Sequence, residues 1–276
     1  MKKHSLTAAQ RKARQDGLLE KLKQGVEAVR NGEDWKAFLN MGSKFYNYSF
    51  GNMMLILWQK PDAARVAGFN AWKKLGRTVK KGEKALQILA PRLRKTKDEE
   101  TGEEGMALAG FLGVPVFDVS QTEGAELPTV AHRLRGEGPE GLYSSLLAFA
   151  MSQGYSVVRQ DEGSEKGGYI LPSKEIVLNS RFEPLHNVKT LVHELGHGIL
   201  GHPWERSLPR EVREFQAESV AWIVCRELGV ETDCYSFGYI AVWTQPGQLA
   251  GLISQHGPAI QKAAQTILAG LGQTVG

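Results

Sequence analysis

The chain has 276 residues, 42% of them hydrophobic, which suffices for a packed core in one large domain or two ordinary ones. Its net charge is only +4, but residues 1–95 hold 21 Lys and Arg against 7 Asp and Glu, while the remainder holds 13 against 23. The longest apolar run is Met53–Trp58 and the only cysteines are Cys225 and Cys234, a pattern that excludes a membrane span and a disulfide framework.

The charge distribution indicates where a polyanion would bind. A basic N-terminal part is typical of a domain that meets nucleic acid, and a solvated basic surface is the alternative interpretation. Segment 1–25 is basic and lacks the apolar core of a secretory signal, so we expect a cytoplasmic protein with no membrane partner.

The N-terminal half is predicted to mix helices with strands. Apolar residues at helical spacing, and a stop at Pro61, predict helices over 6–30, 35–40 and 48–59. The glycine-punctuated basic segment 76–82 predicts a loop or hairpin. The predicted strands are 86–89 and 111–119, joined by a charged hairpin tip over 95–105.

A second domain is predicted after a linker rich in Gly, Glu and Pro. We place the boundaries at 1–122 for the first domain, 123–140 for the linker and 141–276 for the second domain. The helices predicted in the second domain are 142–153, 184–200, 210–228, 236–244 and 248–271. The short strands predicted there are 155–159, 169–171 and 176–178. The fold class is therefore α+β.

The motif His193-Glu194-Leu195-Gly196-His197 lies on the predicted helix 184–200. Two histidines four residues apart share one helix face, so both imidazoles can bind a single zinc ion. Glu194 can then act as the general base on a zinc-bound water. The same three residues also occur by chance on amphipathic helices, so a third ligand decides the interpretation.

Two completions of the zinc site are possible. A third histidine in the pattern HExxHxxGxxH fails, because its places hold Leu200 and Pro203, and His202 is expected to be a surface residue at the helix end. A glutamate from the next helix is the other completion, and Glu214 and Glu218 share one face there. One would bind zinc while the other orients a zinc-bound histidine, and a solvated acidic face is the competing interpretation.

The run EFQAE at 214–218 resembles the helix that follows HExxH in zinc peptidases whose third ligand is a glutamate. The short loop and helix after HELGH also resemble the ImmA/IrrE-like regulatory metallopeptidases. These resemblances imply a zincin-like domain in which Glu214 binds zinc and Glu218 supports a histidine. Tyr235 or Tyr239 is a candidate second oxyanion donor, although tyrosines in an apolar helix are more often core.

Aromatic and basic residues alternate through the first domain, a composition that suits single-stranded nucleic acid. Aromatic faces stack on bases and cations neutralise phosphates, although most of these aromatics must be core. The candidate DNA contacts are Tyr48, Asn52, Trp72, Lys73, Lys74, Arg77, Lys80, Lys81 and Lys84.

Residues 10–125 resemble the single-stranded-DNA-binding domain of ArdC-type antirestriction proteins. The resemblance rests on an Asn-x-x-Leu helix at 52–55 and on the motifs GFNAW, LGRTVKKGEK and FDVSQT, which occur in that order. ArdC-type proteins also carry a C-terminal metallopeptidase-like domain. The resemblance therefore implies a zinc metallopeptidase that binds single-stranded DNA, cleaves proteins near it, and serves antirestriction or mobile-element protection. The alternatives are a repressor-cleaving peptidase of ImmA/IrrE type and a non-catalytic DNA-shielding protein.

Overall fold

The computed structural model describes twelve stretches of the chain. They are residues 10, 13, 16–18, 20–21, 32–45, 47–97, 104–126, 138–161, 167–182, 184–205, 207–230 and 248–272. Contacts divide the described residues into two compact units, one drawn from 1–28 and 51–127 and the other from 29–50 and 128–276. Across these stretches, we find no helix with the length and apolarity needed to cross a bilayer.

In chain order the elements are α1 (Gly32–Lys44), α2 (Phe50–Gln59), β1 (Val66–Ala67), α3 (Phe69–Lys74), β2 (Arg77–Val79), β3 (Leu86–Lys97), β4 (Glu104–Asp118), β5 (Thr122–Gly124), α4 (Gly138–Ser152), β6 (Ser156–Gln160), β7 (Gly168–Ile170), β8 (Glu175–Asn179), α5 (Pro184–Ile199), α6 (Arg210–Glu227) and α7 (Gln248–Gly270). This is the α+β composition expected from the sequence. The predicted helix 236–244 and most of the predicted helix 6–30 lie outside the described residues.

The first unit is built on an antiparallel sheet with the strand order β1-β4-β3. Strands β3 and β4 pair from Leu86 opposite Val116 to Lys97 opposite Glu104, with a register shift between Pro91 and Leu93. A proline cannot donate to a strand ladder, so a bulge beside one is expected. The predicted strand 86–89 is thus the beginning of a longer hairpin arm.

Helix α2 closes the outer edge of β3 with two side-chain amides. Asn52 donates to the Leu89 carbonyl and accepts from the Leu89 amide, each at 2.8 Å, and Gln59 makes the same pair of bonds with Gln87 at 2.9 Å. Alternate residues of a strand present their backbone groups to the same edge. The two amides therefore satisfy backbone groups that would otherwise need another strand.

A second, two-stranded sheet pairs β2 with β5, from Arg77 opposite Gly124 to Val79 opposite Thr122. Segment 76–82, predicted to be a loop or hairpin, therefore contains a strand whose partner is distant in sequence. Residues 123 and 124, where the predicted linker begins, belong to β5, while most of that linker lies outside the described residues.

The second unit packs helices on a mixed sheet with the order β6-β8-β7. Strand β8 is central, parallel to β6 and antiparallel to β7, and is buried from Ile176 to Asn179. Helix α6 is the core helix of the unit, since every residue from Ser219 to Cys225 is buried. An element covered on all sides must be apolar all round, as this stretch nearly is.

Helix α1 groups with the second unit, although its position in the chain lies within the predicted first domain. Phe38 and Leu39 are fully buried, and a Cβ atom on Gly42 would come within 3.0 Å of the Ile223 side chain on α6. Its assignment to the second unit therefore depends on contacts distant in sequence, which the helical period alone does not specify.

Candidate metal centre

Two helices of the second unit carry the candidate ligands. Helix α5 carries the HELGH motif, whose two histidines lie four residues apart on one face, and α6 carries the two glutamates. Gly196 faces α6, and a Cβ atom there would already touch the Ala217 carbonyl and Val220 at 3.4 Å. The absence of a larger side chain lets the two helices approach closely enough to share a site.

Three donor atoms converge between these helices. The Nε2 atoms of His193 and His197 are 3.1 Å apart, and each lies 3.5 Å from Oε2 of Glu214. A tetrahedral zinc ion with bonds of about 2.0–2.1 Å keeps its ligand atoms about 3.3–3.4 Å apart. The observed triangle matches one face of such a tetrahedron, so these residues fit a zinc ion, and no fourth ligand joins them among the residues that the structure describes.

A carboxylate and an ammonium group orient the first histidine. Nδ1 of His193 lies 3.0 Å from Oε2 of Glu218, whose other oxygen lies 3.0 Å from Nζ of Lys189. With its proton on Nδ1, His193 directs the Nε2 lone pair toward the metal position. The geometry therefore places Glu214 among the donor atoms and Glu218 behind a histidine.

Hydrogen bonds among the charged side chains hold the site together. Burial opposes the charged form of His193, but hydrogen bonds to Glu214 and Glu218 outweigh it and raise the pKa of this imidazole to about 10. The hydrogen bond from the protonated His193 holds the pKa of the Glu214 carboxyl well below its usual range. A metal ion binding here would displace the proton from His193.

Glu194 has the environment expected of a general base. Its side chain is buried, and burial raises the pKa of this carboxyl, an effect that His193 and His197 partly oppose. A raised pKa moves a carboxylate toward the range in which it both takes and returns a proton near neutrality.

His202 is not the surface residue that its position after the helix suggested. It is 4% exposed, its Nδ1 lies 2.7 Å from Nδ1 of His197, and its Nε2 lies 2.8 Å from Oε1 of Gln216. Burial lowers the pKa of His202 to about 4, so the imidazole is neutral at pH 7. The expectation was wrong because the turn after α5 folds back over the start of α6, as the bond from Arg213 to the His202 carbonyl shows.

Gln216 and His256 extend this cluster and were missed from the sequence. Nε2 of Gln216 lies 3.0 Å from Nδ1 of His256 on α7, and both residues are buried. The available signal was weak: Gln216 lies between Glu214 and Glu218, on a helix already assigned to the site. Tyr235 and Tyr239, the candidate oxyanion donors, lie outside the described residues.

The candidate DNA contacts of the first unit divide into exposed cations and structural residues. The lysines are exposed on and after α3, and one of them, Lys80, donates to the Ser120 carbonyl at 3.0 Å. The exposed set is Lys73, Lys74, Lys80, Lys81 and Lys84. Arg77 is partly buried and bonds both the side chain and the carbonyl of Thr122, so it braces β2 against β5.

Three of the candidate DNA contacts pack or form hydrogen bonds within the protein. Trp72 is fully buried with its indole N–H donating to the Phe117 carbonyl at 2.8 Å, so it has no face to offer a base. Both polar atoms of the Asn52 side chain form hydrogen bonds with the backbone of β3. Tyr48 groups with the second unit, where it packs edge-on against Phe45.

Three other aromatic side chains of the first unit are exposed and could stack on bases. Trp58, Phe69 and Phe111 are 44%, 53% and 41% exposed. Phe69 opens α3, the helix that also presents Lys73 and Lys74. An exposed aromatic beside lysines has the composition of a stacking platform for single strands.

Comparison with known proteins finds a similarity for the first part of the chain. Residues 8–117 match the N-terminal domain of anti-restriction factor ArdC. A protein of Bacillus anthracis described as uncharacterized is 29% identical over 258 residues, which cover 78% of this chain and 44% of that protein. The chain therefore spans less than half the length of this curated relative.

Two crystal structures of antirestriction protein ArdC from plasmid R388 resemble the fold. The metal-free structure has a TM-score of 0.49 at 21% identity and covers 83% of this chain and 87% of that one. The Mn(II)-bound structure has a TM-score of 0.48 at 20% identity, with 83% and 86% covered.

Proposed function

We propose that this chain is an ArdC-type, single-stranded-DNA-binding zinc metallopeptidase that cleaves proteins at or near exposed DNA strands, in antirestriction or mobile-element protection. The observation that carries the peptidase part is the triangle of donor atoms from His193, His197 and Glu214 beside the buried Glu194. A structural zinc site is closed by four protein ligands, whereas three ligands with an open position are typical of catalytic sites.

These three side chains would hold a zinc ion, which would act as a Lewis acid and lower the pKa of water toward about 7. The residues of the chain do the remaining work. Glu194 accepts a proton from the attacking water and later delivers it to the leaving amine. Glu218, neutralised in part by Lys189, keeps His193 in the orientation that ligation requires.

The DNA-binding part is supported by the match of residues 8–117 and by the exposed lysines of the same unit. Lysines on a surface bind phosphates without reading sequence, so the expected ligand is a single strand of any sequence. Binding the strand would bring the peptidase to proteins that occupy the same DNA.

Cleavage of a DNA-bound protein tests the proposed function. We expect the zinc-loaded protein to cut a labelled protein tethered to an oligodeoxynucleotide faster than the same protein free in solution, and a chelator to stop both reactions. Re-addition of zinc should restore cleavage. The absence of metal-dependent cleavage of either substrate, from protein with full zinc content, would contradict the peptidase assignment.

Neutralising pairs of exposed lysines should weaken DNA binding and flatten its salt dependence. Lys73→Gln with Lys74→Gln, and Lys81→Gln with Lys84→Gln, should each lower the slope of log affinity against log salt by about 1.4 if both lysines contact phosphates, because each contact to a single strand contributes about 0.7. Fluorescence anisotropy with an oligonucleotide measures the slope.

The matched control is Arg226→Gln with Lys262→Gln, which removes two exposed cations from the second unit. It should leave the slope unchanged. Equal slopes for all three double variants would mean that the lysines of the first unit do not contact DNA.

A further inference from the structure

A chain of buried polar side chains leads from His197 away from the metal position. It runs from Nδ1 of His197 to Nδ1 of His202 at 2.7 Å, from Nε2 of His202 to Oε1 of Gln216 at 2.8 Å, and from Nε2 of Gln216 to Nδ1 of His256 at 3.0 Å. The last three side chains are 4%, 3% and 6% exposed. None of these three belongs to the donor triangle, so the proposed hydrolysis gives their hydrogen bonds no role.

The direction of these hydrogen bonds is determined at Gln216. A carbonyl oxygen only accepts, so Nε2 of His202 must carry the proton. A neutral imidazole has one protonated nitrogen, and Nδ1 of His202 is therefore the acceptor in the bond to His197. His197 must then carry its own proton on Nδ1, which leaves the Nε2 lone pair free for a metal.

The amino group of Gln216 meets His256 on its other side. With the proton of His256 on Nε2, its Nδ1 accepts from this amino group, and the carbonyl oxygen of Gln216 is directed at His202. The reversed amide would donate to His202, force the proton of His202 onto Nδ1, and leave His197 protonated at Nε2. That nitrogen would then face Glu214 as a donor and could not bind a metal.

We propose that His202, Gln216 and His256 are positioning residues that form a relay and set the tautomer of His197, so that its Nε2 lone pair is presented to the metal before the metal arrives. The proposal rests on the proposed metal site. The two histidine ligands are then oriented differently, His193 by the Glu218 carboxylate and His197 by a neutral relay that ends on α7.

Zinc affinity, measured by competition with a chromophoric chelator, tests the relay without relying on activity. His202→Phe keeps a ring but removes the acceptor, and should weaken zinc binding about 10- to 100-fold. His202→Asn, whose side-chain oxygen reaches the position of Nδ1, should retain most of the affinity. His186→Phe, which alters an exposed histidine of α5, is the matched control and should bind zinc as the wild type does.

A second pair of variants tests the acceptor on Gln216. Gln216→Met removes both polar atoms with little change in shape, whereas Gln216→Glu keeps an acceptor toward His202. We expect the methionine variant to lose zinc affinity and the glutamate variant to keep most of it. Thermal melting monitors folding, so this pair remains decisive even if His202→Phe does not fold.

Histidine ¹⁵N NMR reads the tautomers directly. In the metal-free wild type we expect His202 to be neutral with its proton on Nε2, and in Gln216→Met we expect that preference to be lost. A proton on Nδ1 of His202 in the wild type would overturn the relay, as would zinc affinities for His202→Phe and Gln216→Met equal to that of the wild type. A wild type that binds no zinc would instead overturn the proposed function on which the relay rests.

Discussion

Replacing Glu194 with glutamine should abolish peptide-bond hydrolysis while zinc content and DNA affinity stay at wild-type values. The carboxamide has the size of the carboxylate but cannot take a proton from water, and general acid–base catalysis of this kind contributes about 10²–10⁴-fold to the rate. Glu194 does not belong to the donor triangle, and the lysines proposed to bind DNA lie in the other unit. Cleavage of the tethered substrate measures the loss.

Glu205→Gln is the control, since it neutralises an exposed glutamate in the turn after α5 that does not belong to the donor triangle. It should cleave at the wild-type rate. Cleavage at the wild-type rate by Glu194→Gln would show that Glu194 is not the general base. If Glu194→Gln lost cleavage but still protected incoming DNA from restriction in cells, the biological role would belong to DNA shielding rather than to catalysis.

Removing Glu214 should have a larger effect on metal binding than removing Glu218. Glu214→Ala deletes one corner of the donor triangle, so we expect purified protein with no stoichiometric zinc. Glu218→Ala deletes only the group behind His193, so we expect zinc to bind about 10- to 100-fold more weakly. Metal content after dialysis, and chelator competition for the variant that retains metal, measure the two effects.

Glu211→Ala, which alters an exposed residue of the same helix, should keep full zinc affinity. The opposite ranking, with metal lost from Glu218→Ala and kept by Glu214→Ala, would exchange the two roles. Complete loss of zinc from both Glu214→Ala and Glu218→Ala would mean that the bond from Glu218 to His193 is as essential to zinc binding as the ligand Glu214.

The elements around the site could be predicted because their signals are local. The HELGH helix and the helix of Glu214 and Glu218 show a 3.6-residue period with clear stops, and the structure has them at Pro184–Ile199 and Arg210–Glu227. Two histidines on one face also dictate that a third ligand must come from another element, which limits the choice to few carboxylates.

The surroundings of His197 could not be predicted because they depend on packing between distant segments. His202 follows a helix end, where a polar residue is ordinarily solvated. Its partner Gln216 lies on α6 and is itself bonded to His256, more than fifty residues after His202. Hydrogen-bond partners of this kind leave no periodic pattern in the chain.

The same limit explains the errors in the first unit. An aromatic residue among lysines gives the same sequence pattern whether it stacks on a base or fills the core. Trp72 is fully buried, and its indole N–H donates to the Phe117 carbonyl. The strand in segment 76–82 was missed because its partner β5 begins at Thr122, and β pairing between distant segments is specified by tertiary packing.

Anomalous diffraction at the zinc edge from crystals of the zinc-loaded protein tests the central claim most directly. We expect one strong peak between α5 and α6, about 2.0–2.1 Å from Nε2 of His193, Nε2 of His197 and a carboxylate oxygen of Glu214. No peak at this position, or a peak bound by neither histidine, would contradict the account.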